Sequence, residues 1–286
     1  MQSIKMNLSF VEPRAELKPY IQSIWVFESV IGMPPSDTSL AAPNGAPKII
    51  INCENSVTSI VDGRVQESRE HGMYFIGTRD KSVLLQTSTG KTCFIGIEFH
   101  PHGAYPFFGM PMVELTNRFL PADLVFGKWG RNVCEILPGL NSLGGKTNFI
   151  QNQLARMLRK SKLQNRIVEY CVGSLKSTDG LVAVSELERR TGYTRRYLEI
   201  LFRDHVGLSP KVLAGIFRFQ KFYRNWARNI PYDEIRDELY DYYYDQSHFV
   251  REFKRMTGFS PRKFNHEVSN EFGRRLLIHQ QFAFLQ

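Results

Sequence analysis

Cysteine is scarce in this chain. Cys53, Cys93, Cys134 and Cys171 are the only four in 286 residues, and no two form a Cys-x-x-Cys pair. Neither a zinc site nor a disulfide framework is therefore indicated, and the thiols read as small buried hydrophobes in a reducing compartment. No signal peptide and no long apolar run is present, so a cytoplasmic protein without a membrane partner is expected. The sequence also lacks a Gly-x-Ser-x-Gly elbow, a phosphate loop and a dinucleotide fingerprint, and no cofactor is expected. His100-Pro101-His102 has a spacing that sets two imidazoles on one side of a strand, as in metal-binding β-barrels. No carboxylate or third histidine follows at matching spacing, so no metal is assigned. A metal-dependent β-barrel enzyme using His100 and His102 stays as the alternative reading.

The first half lacks any charge excess. Residues 1–150 hold 13 Lys plus Arg against 13 Asp plus Glu, whereas residues 151–286 hold 24 against 15, which places the whole formal charge of +9 in the second half. The basic half is also the half that repeats. Leu198-x-x-x-Phe202 followed by Gly207-Leu208-Ser209-Pro210 returns 51 residues later as Phe249-x-x-x-Phe253 followed by Gly258-Phe259-Ser260-Pro261. Two copies are too few for a solenoid, which needs several stacked units. Each copy ends a helix at glycine and starts the next at Ser-Pro, where serine accepts from orphan amides and proline suits the first helical position. Upstream, Val184 to Thr194 reads as a short helix, a glycine turn at Gly192 and a second helix, which is a helix-turn-helix. A basic face on such a duplicated module is the footprint of a surface that neutralises nucleic-acid phosphates.

These motifs carry a resemblance. Residues 165–265, through Phe202-Arg203-Asp204-His205-Val206-Gly207-Leu208-Ser209-Pro210 and Asp245 to Pro261, resemble the DNA-binding domain of the AraC/XylS family of transcription regulators. Less specifically, Pro43-Asn44-Gly45, Phe75-Ile76-Gly77 and Ile97-Glu98-Phe99-His100-Pro101 resemble the β-rich first domain of one AraC-type subgroup. The resemblance implies two helix-turn-helix units on a linking helix, controlled by an N-terminal sensor or oligomerisation domain. Duplex DNA is the implied partner, with a small-molecule effector, a second copy of the chain and, for an activator, RNA polymerase as candidates. One departure stands out. The family's second module turns through a glycine, but here Leu239-Tyr240-Asp241-Tyr242-Tyr243-Tyr244-Asp245 is about two residues longer and glycine-free. Asp241 is the residue expected to supply the left-handed turn. An interaction module whose second unit no longer reads DNA is a further alternative.

Helix geometry sorts the reading residues. Leu198, Leu201 and Phe202 share one stripe, which leaves Arg195, Arg196, Glu199 and Arg203 as contact candidates. Arginine grips guanine or phosphate, and glutamate accepts from cytosine. In the second module Phe249 and Phe253 mark the stripe, leaving Gln246, Ser247, Val250, Arg251, Lys254 and Arg255. Gln246 suits adenine, Arg251 guanine or phosphate, Val250 a thymine methyl, and the last two basic residues phosphates. Val212 to Arg228 reads as the linking helix, about 25 Å long at the helical rise, which suits recognition helices one DNA turn apart.

The expected architecture is α+β: a β-rich sandwich- or barrel-like domain over 1–145, a helical connector over 146–176, an all-α double helix-turn-helix domain over 177–265 and an extension over 266–286. Strands are expected at Tyr20–Glu28, Lys48–Asn52, Val57–Val61, Met73–Ile76, Val83–Gln86 and Cys93–Phe99. Helical segments, including 122–137, are expected to follow. Trp25, Phe27, Tyr74, Phe94 and Phe99 are candidate lining residues for a ligand cavity, with plain core packing as the competing role.

Overall fold

The structure is a computed structural model that describes residues 6–32, 40–61, 64–87, 90–231, 233–234, 237, 240, 242–243, 245–267 and 274. Asp241, expected to form the second turn, lies outside the described residues, as does the extension apart from 266–267 and Arg274.

The described residues of the first domain form ten strands: β1 (Met6–Val11), β2 (Ile21–Ser29), β3 (Leu40–Ala41), β4 (Lys48–Glu54), β5 (Val57–Val61), β6 (Arg64–Glu67), β7 (Met73–Ile76), β8 (Val83–Thr87), β9 (Thr92–Phe99) and β10 (Phe119–Pro121). They form a six-stranded sheet ordered β1-β2-β9-β4-β7-β10 and a four-stranded sheet ordered β3-β8-β5-β6. All recorded pairings are antiparallel. The large sheet is apolar on both faces, because each must be covered. Trp25, Phe27 and Phe94 face Val57 and Leu85 of the small sheet. Ile24, Ile49, Ile95 and Phe99 face helices on the other side.

Those helices are α1 (Tyr105–Phe108), α2 (Ala122–Phe126), α3 (Lys128–Ile136) and α4 (Leu143–Lys160). The helical stretch expected over 122–137 is divided at Gly127, whose φ of 54° interrupts the helical backbone. The span read as a connector is shared between two cores. Helix α4 buries Ile150, Leu154, Ala155 and Leu158 with the sheet, while α5 (Arg166–Ser177) buries Val168, Cys171, Val172 and Leu175 in the C-terminal core. Ser142 caps α4 through its hydroxyl, and Asn165 caps α5.

The C-terminal elements are α6 (Val184–Thr191), α7 (Arg195–His205), α8 (Pro210–Ala227), α9 (Gln246–Thr257) and α10 (Pro261–Glu267). Helix α8 is the linking helix, 18 residues and roughly 27 Å at the helical rise. Its Leu213, Ile216, Phe219, Phe222 and Trp226 are buried against both modules. Phe222 and Phe253 meet edge to face at 4.6 Å, and Phe253 and Phe264 at 5.5 Å, so the linking helix and second module share one aromatic core.

Candidate nucleic-acid interface

The first module is built by local chemistry. Helix α6 ends at Gly192, whose φ of 73° is the left-handed conformation that closes a helix without a Cβ clash. Thr194 then caps α7, and the Glu188 carboxylate accepts from the Arg195 amide at 2.6 Å, so a side chain of the first helix fixes the start of the second. Leu198, Leu201 and Phe202 are buried, and the opposite side is open. Arg195, Arg196 and Arg203 are exposed there, with Glu199 half-exposed. Arg195 and Glu199 hold each other at 3.0 Å, a surface pair that a phosphate or a base can readily replace. The side chains of Arg196 and Arg203 project into solvent on this side. On α6, Glu186 accepts from both Arg189 and Arg190, and these bonds lower its carboxyl to about 2.

In the second module, Asp245 caps α9 by accepting from the His248 amide at 2.7 Å. Gln246, Ser247, Arg251, Lys254 and Arg255 are exposed, Phe249 and Phe253 buried. Val250 is half-buried and packs against the C-terminal core, because the stripe on α9 is wider than the two phenylalanines suggest. Arg255 lies 3.5 Å from Asp80 of the first domain and so has an intramolecular partner. Arg218 of α8 reaches Glu252 at 3.5 Å and the Gly180 carbonyl at 2.9 Å, tying both modules to the linking helix.

Sequence reasoning had no signal for how the first domain grips these modules. In the loop after β7, the Thr78 hydroxyl donates to the Val206 carbonyl at 2.8 Å, just past the end of α7. Ser82 donates its amide and its hydroxyl to the Met256 carbonyl near the end of α9, at 2.8 and 2.7 Å. Thr116 adds a bond to the Gly207 carbonyl at 2.9 Å. The ends of both recognition helices are therefore held by one short loop and its neighbour. A second seam contains the motifs that carried the weaker resemblance. Fully buried Glu98 accepts from Asn44 and from Gln22, Gln22 accepts from Lys176 of α5 at 3.0 Å, and Gln220 of α8 donates to the Pro43 carbonyl at 2.6 Å. Burial, opposed by the attraction of Glu98 and reinforced by Arg224, lowers Lys176 to about 8.

The five aromatic lining candidates are not one cluster. Trp25, Phe27 and Phe94 sit between the sheets, with Phe27 and Phe94 stacked at 4.8 Å. Tyr74 stacks on Phe119 at 4.7 Å near the sheet edge. Phe99 faces the helices, because strand alternation turns it away from Phe94. His100 and His102 stack in parallel at 5.8 Å, and burial lowers them to about 3 and about 4. No group of three candidate metal ligands occurs among the described residues. No helix among them is long and apolar enough to cross a membrane.

The pair α6–α7, stopped at Gly192 and capped at Thr194, has helix-turn-helix geometry, and the capped α9 stands at the other end of the linking helix. Residues 187–267 match the family described as Helix-turn-helix domain, and residues 9–121 match one described as Domain of unknown function (DUF6597). The C-terminal region therefore carries a helix-turn-helix domain, as the resemblance of residues 165–265 to AraC-type regulators implies. The F1 operon positive regulatory protein of Yersinia pestis is 29% identical over 109 residues, covering 37% of this chain and 34% of the relative, so the match spans about a third of that relative's length. ToxT of Vibrio cholerae O395 is 11% identical over 85% of this chain and 98% of its own, with a TM-score of 0.45. ToxT bound to (E)-4-(8-methylnaphthalen-1-yl)but-3-enoic acid is 10% identical over 94% and 100%, with a TM-score of 0.43.

Proposed function

We propose that the protein is a sequence-specific DNA-binding transcription regulator of the cytoplasm, whose α7 and α9 enter successive major-groove segments under the control of the first domain. The observation that carries this reading is the exposed basic side of both recognition helices. Arg196 and Arg203 on α7 and Gln246, Ser247, Arg251 and Lys254 on α9 lie opposite buried apolar stripes, in the half that holds the entire charge excess. Such a surface releases counterions from phosphates and positions side chains at base edges. Linking helix α8 is long enough to space the modules by about one turn of DNA.

Control by the first domain is supported by the hydrogen bonds of Thr78, Thr116 and Ser82 to the ends of both recognition helices. A change in the sheets that moves this loop changes the angle between the modules. A small-molecule effector housed between the sheets near Trp25, Phe27 and Phe94, or self-association through 1–145, supplies such a change. RNA polymerase is the further partner if the protein activates. The test is selection of bound DNA from a random pool at physiological salt with the intact chain and with Arg196→Ala. An enriched motif with two elements, weakened by the substitution, is expected. No enrichment with either the chain or its 150–286 fragment overturns the reading.

A further inference from the structure

One apolar strip on α7 and the turn before it has no part in the packing described above. Ile200 is 48% exposed, while Tyr193 and Tyr197 are 40% and 41% exposed and stack on each other at 4.9 Å. At roughly 100° per residue, Arg196, Ile200 and Arg203 fall within about 60° of one another. Ile200 is thus on the face opposite Leu198, Leu201 and Phe202, beside Arg196, which lies nearest the middle of that face. Tyr197 stands one turn before it on the same flank, where residues three apart are neighbours. The arginines on either side of Ile200 suit a polyanion, and in the major groove the apolar feature of the base edges is the C5-methyl of thymine.

The second module sharpens the point. In the 51-residue register Ile200 corresponds to Arg251, Tyr197 to His248 and Arg196 to Ser247. This position on the open face is apolar in one copy and cationic in the other, so the two helices are chemically complementary to different bases. We propose that Ile200, walled by Tyr197, contacts a thymine methyl and makes the first module select thymine at one or two positions beside the bases or phosphates that Arg196 and Arg203 hold. This inference rests on the reading of α7 as a groove-entering helix.

The test uses the full chain and the motif it enriches from random DNA. Each thymine is replaced in turn by deoxyuridine, which removes the methyl and keeps every hydrogen-bonding group, and binding is compared by competition at fixed salt. One or two replacements in a single half of the motif should weaken binding about fourfold, the effect of one buried methyl. Ile200→Ala should bind thymine and deoxyuridine equally there, and Ile200→Val should restore part of the difference. The inference is overturned if no replacement weakens binding, or if Ile200→Ala keeps the discrimination. Failure to enrich any motif removes the DNA-binding reading itself, whereas a motif without methyl dependence removes only this inference.

Discussion

Gly207 and Gly258 occupy the same place in the two modules and share a left-handed backbone, with φ of 84° and 81°, but their neighbours differ. A Cβ on Gly207 would lie 2.4 Å from the Thr116 hydroxyl and 2.8 Å from the Met112 carbonyl, whereas one on Gly258 would meet nothing within 4 Å. Duplication has preserved the chemistry that stops the helix in both copies. The tertiary setting has diverged: the first copy is pressed against the β domain at its cap, and the second is held by Ser82 two residues before its own. The first module is therefore the one whose cap and anchor coincide.

The largest expected effect breaks this comparison directly. Gly207→Ala combines the left-handed penalty with a displaced hydroxyl or backbone and should destabilise the chain by about 2–4 kcal/mol, against about 1 kcal/mol for Gly258→Ala. Urea unfolding of both variants measures the difference. Equal losses would mean that the contact with Thr116 and Met112 costs nothing to rearrange, and the asymmetry would vanish.

Next in size is binding. Arg196→Ala and Arg251→Ala each remove one guanidinium from an exposed face, and loss of a base contact weakens DNA binding by about 1–3 kcal/mol. If both modules read, each variant relaxes preference in its own half of the enriched motif. A normal motif and affinity for the Arg251→Ala, Gln246→Ala double variant would confine reading to the first module. That outcome would attach the missing glycine between Leu239 and Asp245 to a loss of function.

Much of this division was legible in the sequence, and its gaps have physical causes. The repeat, the caps and the linking helix rest on local rules, in which Thr194, Ser209 and Asp245 each accept from the amide three residues ahead. Six strands were legible from β-prone runs between turns. The four missed strands are short or at sheet edges: β3 has two residues, β10 has three, β1 pairs only with β2 and β6 only with β5. Edge pairing leaves little hydrophobic alternation to detect. Ile200 did leave a signal, since an isoleucine lay outside the stripe defined by Leu198 and Phe202. The grip of Thr78, Ser82 and Thr116 left none, because small hydroxyl residues are common in loops and their carbonyl partners lie 91 to 174 residues away.

A smaller effect separates local from tertiary support. Thr194→Ala and Asp245→Ala each remove one N-cap and should cost about 1 kcal/mol. The aspartate also interacts as a charge with the helix dipole, so the cost of its loss should shrink as salt rises, while that of the threonine stays constant. Unfolding at low and high ionic strength distinguishes them, and a salt-independent Asp245→Ala would remove the charge from the account.

The smallest expected effect uses a position at the helix ends where the first module has a histidine and the second does not. In the 51-residue register His205 corresponds to Met256. The His205 ring packs on Tyr105 of the first domain at 4.2 Å and Nδ1 lies 2.9 Å from the Leu201 carbonyl. Burial lowers its pKa, with the Leu201 carbonyl and Asp204 opposing. A folded-state pKa below the ordinary value near 6.5 means that the unfolded or undocked state binds the proton first, so stability is present above that value and is lost as pH falls below it. His100 and His102, lowered further by burial, act in the same direction in the first domain. Acidification from pH 7 to 5.5 should therefore lower amide protection, relative to the intrinsic exchange rate at each pH, at the end of α7 more than at the end of α9, and His205→Gln should remove that difference while leaving the contribution of His100 and His102. Equal exchange at the two helix ends in the unsubstituted chain would place the pH response wholly in the β domain and leave the modules alike in this respect.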